Sequence, residues 1–108
     1  MADAFKVLYQ GQLGNTVATL ATVGAAKSWV IKTVTAVNND SSARTFGLYV
    51  GGTTAAHAVT GTAISLPASG GSWEWQGVGL TLEAGETIAG GASVAAQVTV
   101  TVFGDEVS

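Results

Sequence analysis

Short runs of β-branched and other apolar residues recur along this chain at intervals of about ten residues, separated by clusters of Gly, Asn and Ser. Valine and threonine are stiff at the first side-chain torsion and pack well on a pleated surface, so such runs favour strands. No stretch places its apolar residues at the spacing of one helix face. The sequence therefore predicts an all-β fold, either a sandwich or a barrel.

Turn-forming clusters divide the sequence into eight predicted strands. Asn, Asp and Ser residues between positions 38 and 42 make a strong turn signal. Residues 53–60 fit either a loop or a short helical turn. The predicted strands are 5–13, 16–23, 28–38, 44–50, 62–66, 72–82, 87–90 and 96–103.

The alternation of apolar and polar residues assigns the faces of two predicted strands. In the fourth strand Phe46 and Leu48 point one way and Tyr49 points the other, and in the eighth strand the valines point inward. The third strand does not alternate. Its apolar residues occupy both parities: Val30, Ile31, Val34 and Val37. Either both its faces are covered, which in so small a domain suggests a partner, or a bulge shifts its register.

The sixth predicted strand poses a question about its tryptophans. In GSWEWQGVGLTL, residues 71–82, the tryptophans are odd-numbered and the leucines are even-numbered. In a regular strand, Trp73 and Trp75 would face away from the leucines and Glu74 would point inward, which is unfavourable for a charge. A bulge at a strand glycine would bring both tryptophans into the core and turn Glu74 outward. Three interpretations of the pair stay open: core packing, contact with another protein, and a carbohydrate platform.

The composition restricts the possible partners. Charged residues make up 10% of the chain, against about a quarter in an average soluble domain, and the net charge is −3. Four Lys and Arg residues are too few to neutralise a useful run of phosphates, which argues against nucleic-acid binding. A weakly charged surface suits a protein that packs against other copies. From the length and the pattern of apolar residues we expect one domain over residues 1–108, no signal peptide and no membrane-spanning segment.

Residues that could carry chemistry are few and scattered. His57 is the one histidine and the chain has no cysteine, so no set of metal ligands is predicted. Glu83 and Glu86 flank a turn, and Asp105 and Glu106 are assigned to an exposed acidic tail. The paired glycines lack the following helix that a phosphate loop requires. We therefore predict no catalytic residue, no cofactor and no metal site, and we do not expect an enzyme.

Three stretches together span nearly the whole chain: FKVLYQGQLGNTVATLATVGAAKSWVIKTVTAVNND, RTFGLYVGG and LTLEAGETIAGGASVAAQVTVTVFGDEVS. In their pattern of strands and turns they resemble a group of small all-β virion proteins of tailed bacteriophages. The resemblance implies an antiparallel β-sandwich, jelly-roll-like, with about eight strands in two sheets. It also implies self-association, often as trimers, on the outside of a particle. The group has no catalytic motif, so it implies no site residues.

These observations and the resemblance predict a virion structural protein. We expect a capsid decoration or cement protein that is made in the host cytoplasm, binds the major capsid protein on the outer head surface and stabilises the coat lattice. The alternatives are a tail, collar or fibre component and a carbohydrate-binding host-attachment module. Trp73, Trp75 and Tyr49 are the predicted contact residues. Replacing both tryptophans with alanine is expected to weaken association and to leave a folded monomer.

Overall fold

Eight antiparallel strands in two packed sheets make up the fold. The computed structural model of the chain describes residues 3–61 and 63–107. Within these residues the strands are β1 (Asp3–Gln12), β2 (Ala18–Thr22), β3 (Ser28–Asn38), β4 (Arg44–Val50), β5 (Ile64–Leu66), β6 (Gly71–Leu82), β7 (Thr87–Ala92) and β8 (Val98–Val107). One 3-10 turn, Ala55–His57, lies between β4 and β5.

The strands pair as the two arms of one long hairpin that is rolled up on itself. β1 pairs with β8, β2 with β7, β3 with β6 and β4 with β5. Further pairs of β3 with β8 and of β4 with β7 complete sheet A, in the order β1-β8-β3-β6, and sheet B, in the order β2-β7-β4-β5. This is the connectivity of a jelly roll. The predicted all-β antiparallel sandwich is therefore confirmed.

The predicted strand bounds agree best where turn residues surround the strand. β3 and β4 begin and end as predicted. Thr62, the predicted first residue of the fifth strand, lies outside the described residues, and β5 begins at Ile64. Residues 53–60 contain the 3-10 turn, so the helical alternative for that segment is confirmed.

A bulge explains why β3 does not alternate. Its register against β8 shifts between Ile31 and Thr33, with Lys32 as the extra residue. Trp29 and Ile31 are buried before the bulge, and the even-numbered residues of β3 are buried after it. The bulge therefore keeps one continuous face of β3 toward the core. Of the two interpretations offered by the sequence, the register shift is confirmed.

The core lies between the sheets and draws on nearly every strand. Its buried members are Leu13, Val23, Trp29, Ile31, Val34, Ala36, Phe46, Leu48, Leu66, Leu82, Ile88, Ala92, Val98, Val100 and Val102. The three even-numbered valines of β8 are fully buried, as the alternation predicts. The removal of all these core side chains from water is the main source of the free energy that holds the sheets together.

Asn38 fastens two turns at one end of the sandwich. Its side chain is fully buried. The Nδ2 group lies 3.0 Å from the carbonyl oxygen of Ser42, 3.1 Å from that of Pro67 and 3.3 Å from that of Leu66. Its Oδ1 accepts the amide N–H of Asp40. One amide side chain thus satisfies polar groups of the β3–β4 and β5–β6 turns together.

The predicted acidic tail is wrong, because residues 104–107 belong to β8. Asp105 and Glu106 are half-buried and pair with both β1 and β3. Gly104 explains the close approach at this point. A Cβ at Gly104 would overlap the carbonyl oxygen of Val30 and lie 3.0 Å from the Ile31 Cα. Residues 104–107 pair with strands on both sides and are therefore part of sheet A.

A polar cluster of three side chains caps this end of the core. The indole N–H of Trp29 donates to Glu106 Oε2 at 2.9 Å, and Lys6 Nζ donates to Glu106 Oε1 at 3.0 Å. These two hydrogen bonds, that of Trp29 first, hold the pKa of the Glu106 carboxyl below its usual value of 4.5. The cluster thus links β1, β3 and β8.

Replacing Glu106 with glutamine is expected to flatten the acid dependence of stability. Because the pKa of Glu106 is lowered by folding, its stabilising contribution is present above about pH 4.5 and is lost as the pH falls through the folded-state pKa. Thermal midpoints measured from about pH 7 to about pH 3 test this. Glu83→Gln, on the exposed β6–β7 turn, is the matched control. If the thermal midpoints of the two variants fell equally as the pH was lowered, the stabilising role of the Glu106 carboxylate would be contradicted.

Candidate functional site

The ionisable side chains of the described residues are not grouped as metal ligands. No group of three or more His, Asp or Glu side chains in residues 3–61 and 63–107 could hold a metal ion. His57 is exposed and its imidazole packs over the backbone of Gly52. The one helical element within these bounds is a three-residue turn, which is too short to bind a phosphate group at its N-terminus. No helix there has the length and apolar character needed to cross a bilayer.

The cavity between the sheets is too small for a ligand. It lies behind Trp75 and Leu80, next to Val59 of the β4–β5 loop. Its free volume is about 10 Å³, roughly enough for one water molecule. Sites for small molecules usually have volumes of about 300–1,000 Å³. This cavity is therefore not a site for a small molecule.

An irregularity in β6 answers the question posed by the tryptophans. Leu80 pairs with Ile31 and Gln76 with Thr33, so that residues 77–79 stand opposite Lys32 alone. Gly79, at a φ of +67°, takes a conformation that glycine adopts most readily. Trp73 and Trp75 consequently lie on the same face as Leu80 and Leu82, and Glu74 is exposed. The bulge interpretation is confirmed. The side chain of Val78 lies outside the described set.

Trp73 and Trp75 pack against the core while part of each indole stays in solvent. The ring of Trp73 meets that of Phe46 edge-on at 5.4 Å between centroids and lies 6.1 Å from that of Trp75. Both indoles are only half-buried, because β5 has three residues and covers little of the twelve-residue β6. We call this half-covered apolar strip the β5–β6 margin. Its residues are Val59, Ile64, Trp73, Trp75 and Leu80.

The geometry separates the tryptophans from the polar residues beside them. Glu74 and Gln76 hydrogen-bond to each other on the outer face of β6, whereas the indoles face inward. A carbohydrate platform requires an aromatic ring and polar side chains that converge on one sugar. These four residues do not converge, so the arrangement favours packing and protein contact.

Tyr49 is far less accessible than the two tryptophans. Its side chain is 5% exposed, and its backbone forms an isolated antiparallel bridge with Ala58 of the β4–β5 loop. Little of its surface is available to a partner. The contact role of Trp73, Trp75 and Tyr49 stays a prediction, and within it the two tryptophans offer most of the accessible area.

A second surface was missed by the sequence reasoning. We call it the outer face of sheet A, meaning the side turned away from sheet B. The registers place Val30, Thr33 and Thr35 of β3 beside Thr99, Thr101 and Phe103 of β8 at its centre. Val7, the one exposed large hydrophobic side chain in the described set, flanks Phe103 on β1. The signal was present in the threonines that alternate with the inward valines of β8.

Comparisons with known proteins show similarity of fold only. No family model matches the chain, and no curated protein matches it. A solved structure from Bacillus endospore appendages, described as a novel family of disulfide-linked pili, is 17% identical with a TM-score of 0.52 and covers 99% of this chain and 87% of that one. At this identity the likeness shows a shared fold.

Two viral proteins are similar at a lower level. The coat protein dimer of Tobacco streak virus is 10% identical with a TM-score of 0.49, over 96% of this chain and 83% of that one. The virus-like particle of the extra small virus of the giant freshwater prawn Macrobrachium rosenbergii is 13% identical with a TM-score of 0.48, over 100% and 81%. Likeness below a TM-score of 0.5 carries no argument about function.

Proposed function

We propose that this chain is a structural subunit of a bacteriophage virion, and specifically a decoration protein that binds the outer surface of the head. The β5–β6 margin is the observation that carries the proposal. It is an apolar strip with two half-exposed tryptophans on a molecule whose surface bears few charges. Aromatic side chains of this kind anchor protein interfaces.

Two further features favour a binding role without chemistry. The cavity behind Trp75 and Leu80 is too small for a substrate, and the described residues hold no group of three or more His, Asp or Glu side chains that could bind a metal ion. The sequence resembles small all-β virion proteins over nearly its whole length, in the stretches quoted above. The jelly-roll connectivity agrees with the fold that this resemblance implies.

The mechanism that we propose is passive stabilisation. Each copy would bury its margin against coat subunits only where those subunits stand together, so its binding free energy would favour the assembled lattice. Low charge limits the desolvation cost of such a contact. Self-association, which the resemblance implies, would strengthen weak individual contacts by linking them.

The number of copies per particle tests the proposal. Particles purified from the source of this chain would be analysed by quantitative mass spectrometry, with the major coat protein as the internal standard. A copy number approaching that of the coat is expected. A handful of copies per particle would assign the protein to the tail, collar or fibres. Absence from particles would overturn a virion role and reopen host-surface binding.

A further inference from the structure

We propose that the outer face of sheet A is a self-association surface, on which two copies of this chain pair through a two-fold axis parallel to the strands. This inference is independent of the margin and of the virion role. It also replaces the trimer implied by the resemblance with a dimer, because a face that pairs with its own copy makes a closed two-fold contact.

The edges of both sheets are poorly suited to pairing with another chain. The register of β1 shifts at Leu8 and that of β2 shifts at Leu20. β6 carries the irregularity at residues 77–79, and β5 is only three residues long. Bulges and short edge strands are the features that prevent edge-to-edge addition of strands. A second copy would therefore bind more readily through a face than through an edge.

The outer face of sheet A is large enough for a stable pair. Four strands spaced at about 4.8 Å make it about 19 Å wide, and the eleven residues of β3 extend over about 36 Å. Its area is therefore roughly 700 Å², and two copies would bury roughly 1,400 Å² between them, within the usual range of specific interfaces. Two sheets that pack in this way lie about 10 Å apart with their strands nearly aligned.

The centre of the face suits contact with an identical surface. Threonine and valine side chains are small, and they leave few side-chain torsions to be fixed on association. Phe103 is half-buried between Val7 of β1 and Thr33 of β3. Under the proposed axis, which lies between β3 and β8, each Phe103 meets Thr33 of the second copy. The contact buries apolar area without bringing like charges together.

The charges near the centre fix which two-fold axis is favoured. Lys32 is exposed at the bulge of β3, and Asp105 lies on neighbouring β8 beside Val30. Neither takes part in the two ion pairs found among residues 3–61 and 63–107. With an axis parallel to the strands, β3 of one copy lies over β8 of the other, and residues that are neighbours within one sheet stay at the same height. Lys32 of each copy then faces Asp105 of the other, which makes two symmetric contacts. An axis across the strands at the height of the β3 bulge would instead bring Lys32 of one copy against Lys32 of the other.

Charge reversal tests this geometry. Sedimentation of the whole chain over a wide range of concentration is expected to show a monomer–dimer equilibrium. Lys32→Asp or Asp105→Lys alone places like charges together at both symmetric contacts, and each should weaken association about tenfold to a hundredfold. The double variant Lys32→Asp with Asp105→Lys restores opposite charges and should recover the original association constant within about threefold.

Lys27→Asp is the matched control, because it makes the same change of charge outside the strands of sheet A, in the β2–β3 turn. It should associate as the unaltered chain does. A chain that stays monomeric at every concentration, a trimer, or a double variant as weak as the single ones would overturn the inference. These results are measured in solution, so they stand or fall separately from the number of copies on particles.

Discussion

Replacing Asn38 with aspartate is expected to lower the free energy of unfolding by about 3–5 kcal/mol near neutral pH. The substitution keeps the shape of the side chain and exchanges an amide donor for a carboxylate that cannot donate. The Nδ2 position lies within 3.3 Å of three backbone carbonyl oxygens. A buried negative charge would face all three of these dipoles, and its hydrogen bonds to them would be lost.

The loss of stability caused by Asn38→Asp should be smaller in acid, and the direction of this pH dependence follows from the burial of the side chain. Desolvation and the three carbonyl groups raise the pKa of the introduced carboxyl in the folded state above its unfolded value of about 3.9. The folded state therefore binds the proton more tightly, and stability relative to the unaltered chain falls as the pH rises. Protonation also restores one donor to the site.

Urea unfolding of both proteins at matched pH measures the effect. Asn39→Asp makes the same chemical change one residue along, where the side chain is exposed, and should shift stability by no more than about 0.5 kcal/mol. Similar urea midpoints for the two variants would mean that the Asn38 network adds little to stability. A larger loss in acid than at neutral pH would refute the desolvation argument.

Truncating Trp73 and Trp75 together to alanine is expected to remove about 3–5 kcal/mol of stability, about half of what two fully buried tryptophans would lose. Both indoles pack on the core, and Trp73 touches the buried ring of Phe46. The sequence led us to expect a folded monomer for the double variant, and the packing of both indoles adds that this monomer would be markedly less stable. The two single losses should not add, because the rings are in contact.

The remaining tryptophan makes the experiment convenient. Trp29 is 6% exposed and reports on unfolding by fluorescence in the double variant. Glu74→Ala, between the two positions and exposed, is the control and should leave the urea midpoint nearly unchanged. A double variant as stable as this control would show that the two indoles do not stabilise the fold. The margin could then act only as a contact site.

Much of the fold could be predicted from sequence because its signals are local. Strong turn residues surround β3 and β4, and both strands begin and end where expected. The inward valines of β8 follow from simple alternation. The bulges in β3 and β6 could be suspected from broken alternation, but their positions depend on how two strands are paired, and one strand alone does not contain that information.

The surfaces were harder to predict than the core. Residues 104–107 look like a polar end of the chain, yet Glu106 is held by Trp29 and Lys6 from two other strands. The half-exposure of Trp73 and Trp75 results from the shortness of β5, which is remote in sequence from both. Only three-dimensional neighbours decide how much of an inward-facing side chain remains in solvent.

The nested pairing of the strands has a consequence for the kinetics of folding. Each outer pair joins segments further apart in the chain, from β4 with β5 to β1 with β8. Closing the outermost pair first would impose the entropy cost of a loop of nearly the whole chain, whereas prior formation of the inner pairs shortens every later loop. The innermost pair is a ladder of three residue pairs and makes a weak nucleus. The chain should therefore fold slowly, in milliseconds to seconds. The strand pairs should form in order, from β4 with β5 to β1 with β8.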